Sequence, residues 1–131
     1  KLIAETENVD KKCLFIIEAA ALTHDIGIHF CEEKYGNCNG KLQEQEGPAI
    51  AERLLEKLGF EQEISDRVQY LIAHHHTYND INEIDYQILV EADFLVNIME
   101  DDLSKEAALK AYHNIFKTAC GKTICREMFN I

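Results

Sequence analysis

Apolar residues recur at helical spacing along almost the whole chain, and nowhere do they alternate with polar ones over a strand's length. That pattern argues against a sheet and sets the expected fold class as all-α, a compact domain of about five to seven helices. A helix is predicted from about Lys11 to Asp25, with Leu14, Ile17, Ala20, Ala21 and His24 on one stripe and Gly27 as its left-handed end. Phe30 to Glu46, rich in Gly, Asn and charge, reads as a long loop. Pro48 suits a first helical turn, so it is expected to open the next helix, which runs to Leu58 and turns Ala51, Leu54, Leu55 and Leu58 inward. A helix from about Glu61 to His76 aligns Ile64, Val68, Leu71, Ile72 and His75, and another from about Ile84 to Glu100 aligns Tyr86, Leu89, Val90, Asp93 and Phe94. Ser104 has the chemistry of a helix cap, and a short last helix is expected after Gly121.

A single proline and six glycines leave little room for linkers, so residues 1–131 are expected to form one domain with its own core. The net charge of -11 excludes a nucleic-acid polymer as partner, because phosphate backbones are held by clustered Lys and Arg. Any smaller phosphate would need local positive charge, which a bound metal ion supplies. The five cysteines contain no CxxC pair and are read as reduced thiols; a metal site at Cys31 and Cys38 would need two more soft ligands. No apolar run is read as reaching membrane-spanning length and no signal peptide is visible, so the expectation is a soluble, cytoplasmic protein without a membrane partner.

The chemistry lies where polar groups interrupt apolar stripes. Asp25 falls in the last turn of its helix, where the negative end of the dipole repels a carboxylate by several tenths of a kcal/mol. His24 beside it continues the buried stripe. An isolated His-Asp pair is ordinary and usually structural. Asp93, however, follows Leu89 and Val90 on another apolar stripe, and burying an unpaired carboxylate costs several kcal/mol. His74, His75 and His76 form a third cluster in which His75 is best aligned with the core and His74 is the expected bystander. Mixed nitrogen and oxygen ligands suit borderline divalent ions.

In order and spacing these segments resemble the HD superfamily of metal-dependent phosphohydrolases, whose pattern is an early His, then His-Asp, then a distal Asp. The resemblance runs from Ala19-Ala-Ala-Leu-Thr-His-Asp-Ile-Gly, through Gly47-Pro-Ala-Ile-Ala-Glu-Arg-Leu-Leu and Leu71-Ile-Ala-His-His-His, to Glu91-Ala-Asp-Phe-Leu-Val-Asn. It implies that His24, Asp25 and Asp93 ligate a divalent metal ion (Mn, Fe, Co, Ni, Zn or Mg). It also implies that Asp25 acts on the nucleophilic water and that His75, with His76 as the next candidate, meets phosphate or a second metal. His29 and Lys34 are candidate substrate contacts. The implied activity is hydrolysis of a small phosphate ester, a nucleotide by preference, through a metal-activated water, and a homodimer is a possible assembly.

Three departures shape that expectation. Lys1 to Lys12 contain no histidine, so the family's first ligand is expected upstream of Lys1. Gln43 stands about where dinuclear members carry a histidine, which favours one metal over two. The glycine-tyrosine-proline signature of the cyclic-dinucleotide phosphodiesterases is missing after His76. The alternatives are a catalytically silent HD-fold sensing or interaction module and a di-iron HD-fold oxygenase.

Overall fold

The computed structural model describes all residues from Lys1 to Ile131. It is all-α, with helices α1 (Leu2–Thr6), α2 (Lys11–Thr23), α3 (Ile28–Tyr35), α4 (Gly40–Lys57), α5 (Gln62–His74), α6 (Ile84–Glu100), α7 (Lys105–Asn114) and α8 (Ala119–Phe129). Of these, α1 is a single turn. The residues group into two compact units, one of residues 15–77 and the other of residues 1–14 with 78–131.

In the unit of residues 15–77, the expected long loop is largely helix. Ile28–Tyr35 forms α3 and ends at Gly36 in the left-handed conformation. Only Cys31 of α3 is buried, so the helix lacks the repeating apolar stripe by which helices are recognised. The next helix begins at Gly40, not at Pro48: the Asn39 side chain accepts the Leu42 N–H at 2.9 Å and caps it. Pro48 therefore lies inside α4, where its missing N–H leaves the Glu44 carbonyl without its helical donor. The inward row is Gly47, Ala51 and Leu55, while Leu54 and Leu58, expected inside, are exposed. α5 places Ile64, Val68, Leu71, Ile72 and His75 inside as expected.

Glycine lets these elements approach closely. A Cβ on Gly27, in the turn after α2, would come within 3.1 Å of the Gly47 backbone nitrogen, and one on Gly47 would come within 2.7 Å of Ile72 Cγ2. Glycine costs an α-helix about 0.5–1 kcal/mol relative to alanine, so its presence mid-helix at Gly47 marks close packing rather than helix preference. α2 itself buries Ile16, Ile17, Ala19, Ala20 and Thr23, whereas Ala21 is exposed. By length and composition alone Lys11–Tyr35 passes for a membrane span, an 18-residue stretch within it having a mean hydropathy of 1.4, where the sequence reading saw no run of that length; the core helix of a soluble protein passes the same test. The turn at residues 24–27 nevertheless divides that stretch into α2 and α3.

In the other unit α6 packs on α1 and α8, and α7 packs on α8. Its most demanding feature is Glu91 on α6, which is fully buried. Glu91 Oε2 accepts from Gln87 Nε2 at 2.5 Å, Lys117 N at 3.0 Å and Thr118 N at 3.1 Å, and Oε1 accepts from Thr118 Oγ1 at 2.6 Å. The Thr118 oxygen in turn accepts the Gly121 N–H at 2.9 Å and caps α8. The last helix thus starts at Ala119 rather than after Gly121. A Cβ on Gly121 would overlap the Glu91 carboxylate. Ser104 caps α7 as expected, accepting from Ala107 N.

Two stability changes are expected. Glu91→Ala strands several buried donors, each costing about 1–3 kcal/mol, so a loss of about 3 kcal/mol in urea unfolding is expected; a loss under about 1 kcal/mol would show that water replaces the carboxylate. In Gly47→Ala the gain in helix preference, about 1 kcal/mol, opposes an overpacking cost of about 1–3 kcal/mol. Ile72 is fully buried and stiff at χ1, so net destabilisation is expected, and a more stable variant would refute the close-packing argument.

Candidate active site

The end of α2 supplies the first pair. His24 Nδ1 lies 2.7 Å from the Ala21 carbonyl oxygen. A carbonyl only accepts, so the neutral ring carries its proton on Nδ1 and Nε2 is its basic nitrogen. Nε2 stands 3.3 Å from Asp25 Oδ2, itself half exposed. At that distance a proton on Nε2, or a cation that both atoms bind, would join the pair. The hydrogen bond from His24 holds the Asp25 carboxyl below its ordinary range, opposed by burial and helped by the charges of His24, His75 and His76.

The end of α5 supplies the second group. His75 is fully buried and donates Nδ1–H to the Ile72 carbonyl at 2.6 Å. Its ring meets that of His24 edge-on, with centroids 5.3 Å apart, and lies 4.1 Å from that of His76. From α4, Gln43 Oε1 stands 3.3 Å from His75 Nε2 and 3.1 Å from His76 Nε2. One residue on, Glu44 Oε2 accepts from His76 N at 3.2 Å and Thr77 Oγ1 at 2.8 Å, fixing the chain just past α5. The structure thus brings His24, Asp25, His75 and His76 together within one unit. Gln43, which the sequence placed where dinuclear members carry a histidine but not against His75 and His76, and Glu44, which sequence reasoning did not assign to the site, join them. The overlooked signal is that Gln43, Gly47, Ala51 and Leu55 form one row at spacing four, visible once the helix is extended back through Pro48.

The remaining candidates are placed as follows. Asp93 lies on α6 in the other unit, half-buried rather than fully buried, and accepts from Asn97 Nδ2 at 3.1 Å. His74 stacks on Tyr70 with centroids 4.1 Å apart and donates Nδ1–H to the Tyr70 carbonyl. His29 and Lys34 belong to exposed α3 rather than to a loop. His29 pairs with Glu33 at 3.1 Å. Lys34 Nζ lies 3.8 Å from Glu46 and over the rings of Phe30 and Tyr35. All five cysteines are free thiols; burial and the neighbouring Cys31 push Cys38 up to about 11.

Nowhere do three His, Cys, Asp or Glu side chains form a group that could hold a metal ion. What the site does present is a nitrogen and oxygen pair, His24 Nε2 and Asp25 Oδ2, with the imidazole oriented through its other nitrogen as metal-bound histidines are. That donor chemistry fits a borderline divalent ion. No family model, curated protein or solved structure matches this chain.

Because folding lowers the Asp25 midpoint, its charge favours the folded state above the ordinary carboxyl value, and that contribution is lost as pH falls through the lowered midpoint. Followed by NMR, Asp25 is expected to titrate below 3.8 in the native protein and to move upward in His24→Gln. A midpoint unchanged in that variant would rule out His24 as the main cause.

Proposed function

We propose that this chain is an HD-type metal-dependent phosphohydrolase that cleaves a small phosphate ester, with nucleotides the preferred class. The observation that carries this reading is the His24 and Asp25 pair: adjacent residues at a helix end whose basic nitrogen and carboxylate oxygen face each other at 3.3 Å. The sequence resemblance adds Asp93 to the ligands. A divalent ion held there would lower the pKa of bound water toward neutrality and neutralise charge on a phosphoryl oxygen.

The protein's own groups have separable tasks. The Ala21 carbonyl orients His24, so Nε2 needs no reorganisation to bind. Asp25 keeps its negative charge well below neutral pH, so it remains a ligand and an acceptor for a proton of the attacking water. His75 offers a basic Nε2 within the same cluster, and His76 offers a hydrogen-bond partner for phosphate.

The test combines metal content with hydrolysis. Untagged protein, loaded with Mn²⁺, Fe²⁺ or Co²⁺, is expected to hold about one ion per chain by plasma mass spectrometry. It should also cleave p-nitrophenyl phosphate or its bis ester. Asp25→Ala and Asp93→Ala should lose the ion, and Asp25→Ala should lose activity by about 100-fold or more. A native protein that takes up no ion under any of these conditions would sink the proposal and favour a silent HD module.

A further inference from the structure

Gln43 makes a second decision at this site, one that needs no metal. Its Nε2 lies 3.4 Å from the Cys38 carbonyl oxygen, which only accepts, so the amide hydrogens point there and Oε1 faces the two histidines. The flipped amide would set Oε1 against the Cys38 carbonyl, acceptor against acceptor.

Oε1 accepts as well, so an imidazole bonds to it only by bringing a proton. Neutral His75 has none to bring at Nε2, because its proton is on Nδ1, donated to the Ile72 carbonyl. His76 carries no such commitment, and its Nε2 is the nearer of the two, at 3.1 Å against 3.3 Å. Its ring is boxed in: the His75 ring lies 4.1 Å away, and a Cβ on Gly40 would come within 2.9 Å of His76 Cγ.

We infer that Gln43 is a positioning residue that sorts two adjacent histidines into opposite neutral forms, His75 protonated on Nδ1 and His76 on Nε2. Side by side at the end of α5, the pair then offers one basic Nε2 and one Nε2–H. The chemical use of this arrangement rests on the hydrolase reading: His75 Nε2 accepts a proton, while the His76 N–H can pass from Gln43 Oε1 to a phosphoryl oxygen. The protonation pattern itself does not rest on that reading.

The experiment is two-bond ¹H–¹⁵N NMR on metal-free, histidine-labelled protein at a pH where the imidazoles are neutral. Native protein is expected to show His75 as the Nδ1–H form and His76 as the Nε2–H form, with a ring-proton resonance on His76 Nε2 protected from solvent. That resonance should vanish in Gln43→Leu, which removes the acceptor. It should persist in Gln43→Glu, which keeps it. The His75 pattern, unchanged in both variants, reports that the fold is intact. A proton on His76 Nδ1, or a His76 resonance that survives Gln43→Leu, would overturn the inference. Metal binding and hydrolysis are read separately, so a protein without either could still show the sorted pair, and an active hydrolase could lack it.

Discussion

The site depends on the close approach of the turn after α2 to the middle of α4, where Gly27 lies against the backbone of Gly47. Its neighbours explain why this contact matters. Gly27 follows Asp25 by two residues, Gly47 follows Gln43 by one helical turn, and Gly47 rests on Ile72, whose carbonyl orients His75. A side chain at either glycine would separate the His-Asp turn from α4 by a methyl's width. Interiors are packed too tightly to absorb that without moving a backbone. Geometry at the histidines is therefore set by glycines that carry no functional group.

Orientation within the site comes from main-chain carbonyls near helix ends. His24, His74 and His75 each give Nδ1–H to a carbonyl three or four residues earlier. The Ala21 and Ile72 carbonyls lie in a last helical turn, where carbonyls run out of amide partners, so they are acceptors already in place. A carboxylate could orient an imidazole equally well. In a chain of net charge -11, however, each added carboxylate would further repel an anionic substrate. Carbonyl orientation fixes the basic nitrogen without adding negative charge.

How much was legible in the sequence follows from where the fold's information lies. The bounds of α6 were readable because its apolar residues keep helical spacing over Ile84–Glu100. His75 was readable because it extends the regular stripe of Val68, Leu71 and Ile72. By contrast, α3 shows one buried residue and no stripe, and α4 hides its start because Pro48 imitates a first turn while the true cap is Asn39. That misplaced start left Gln43 in a loop and hid its approach to His75 and His76. Glu91 was illegible for another reason: its donors Lys117 and Thr118 lie far along the chain, and nothing local marks a glutamate as buried. The His-Asp pair was readable as a motif, but the proton positions of its histidines depend on carbonyl contacts that only coordinates reveal.

The same distinction bears on how so acidic a protein could receive the phosphate ester proposed for it. Lys34 is the basic residue that sequence position suggested for that task. The Tyr35 hydroxyl and Glu46 raise its pKa and keep it charged, yet Glu46, held charged chiefly by the Tyr35 hydroxyl, balances it locally. A lysine so engaged offers little net attraction, and on an exposed helix it is screened by solvent. His24, Asp25, Gln43, His75 and His76 include no lysine or arginine. Under the proposed hydrolase reading, attraction for an anion there would come from imidazole N–H groups and from a cation shared by His24 and Asp25. Both sources would act over a few ångströms, which on that reading suits a compact phosphate ester better than a long polyanion.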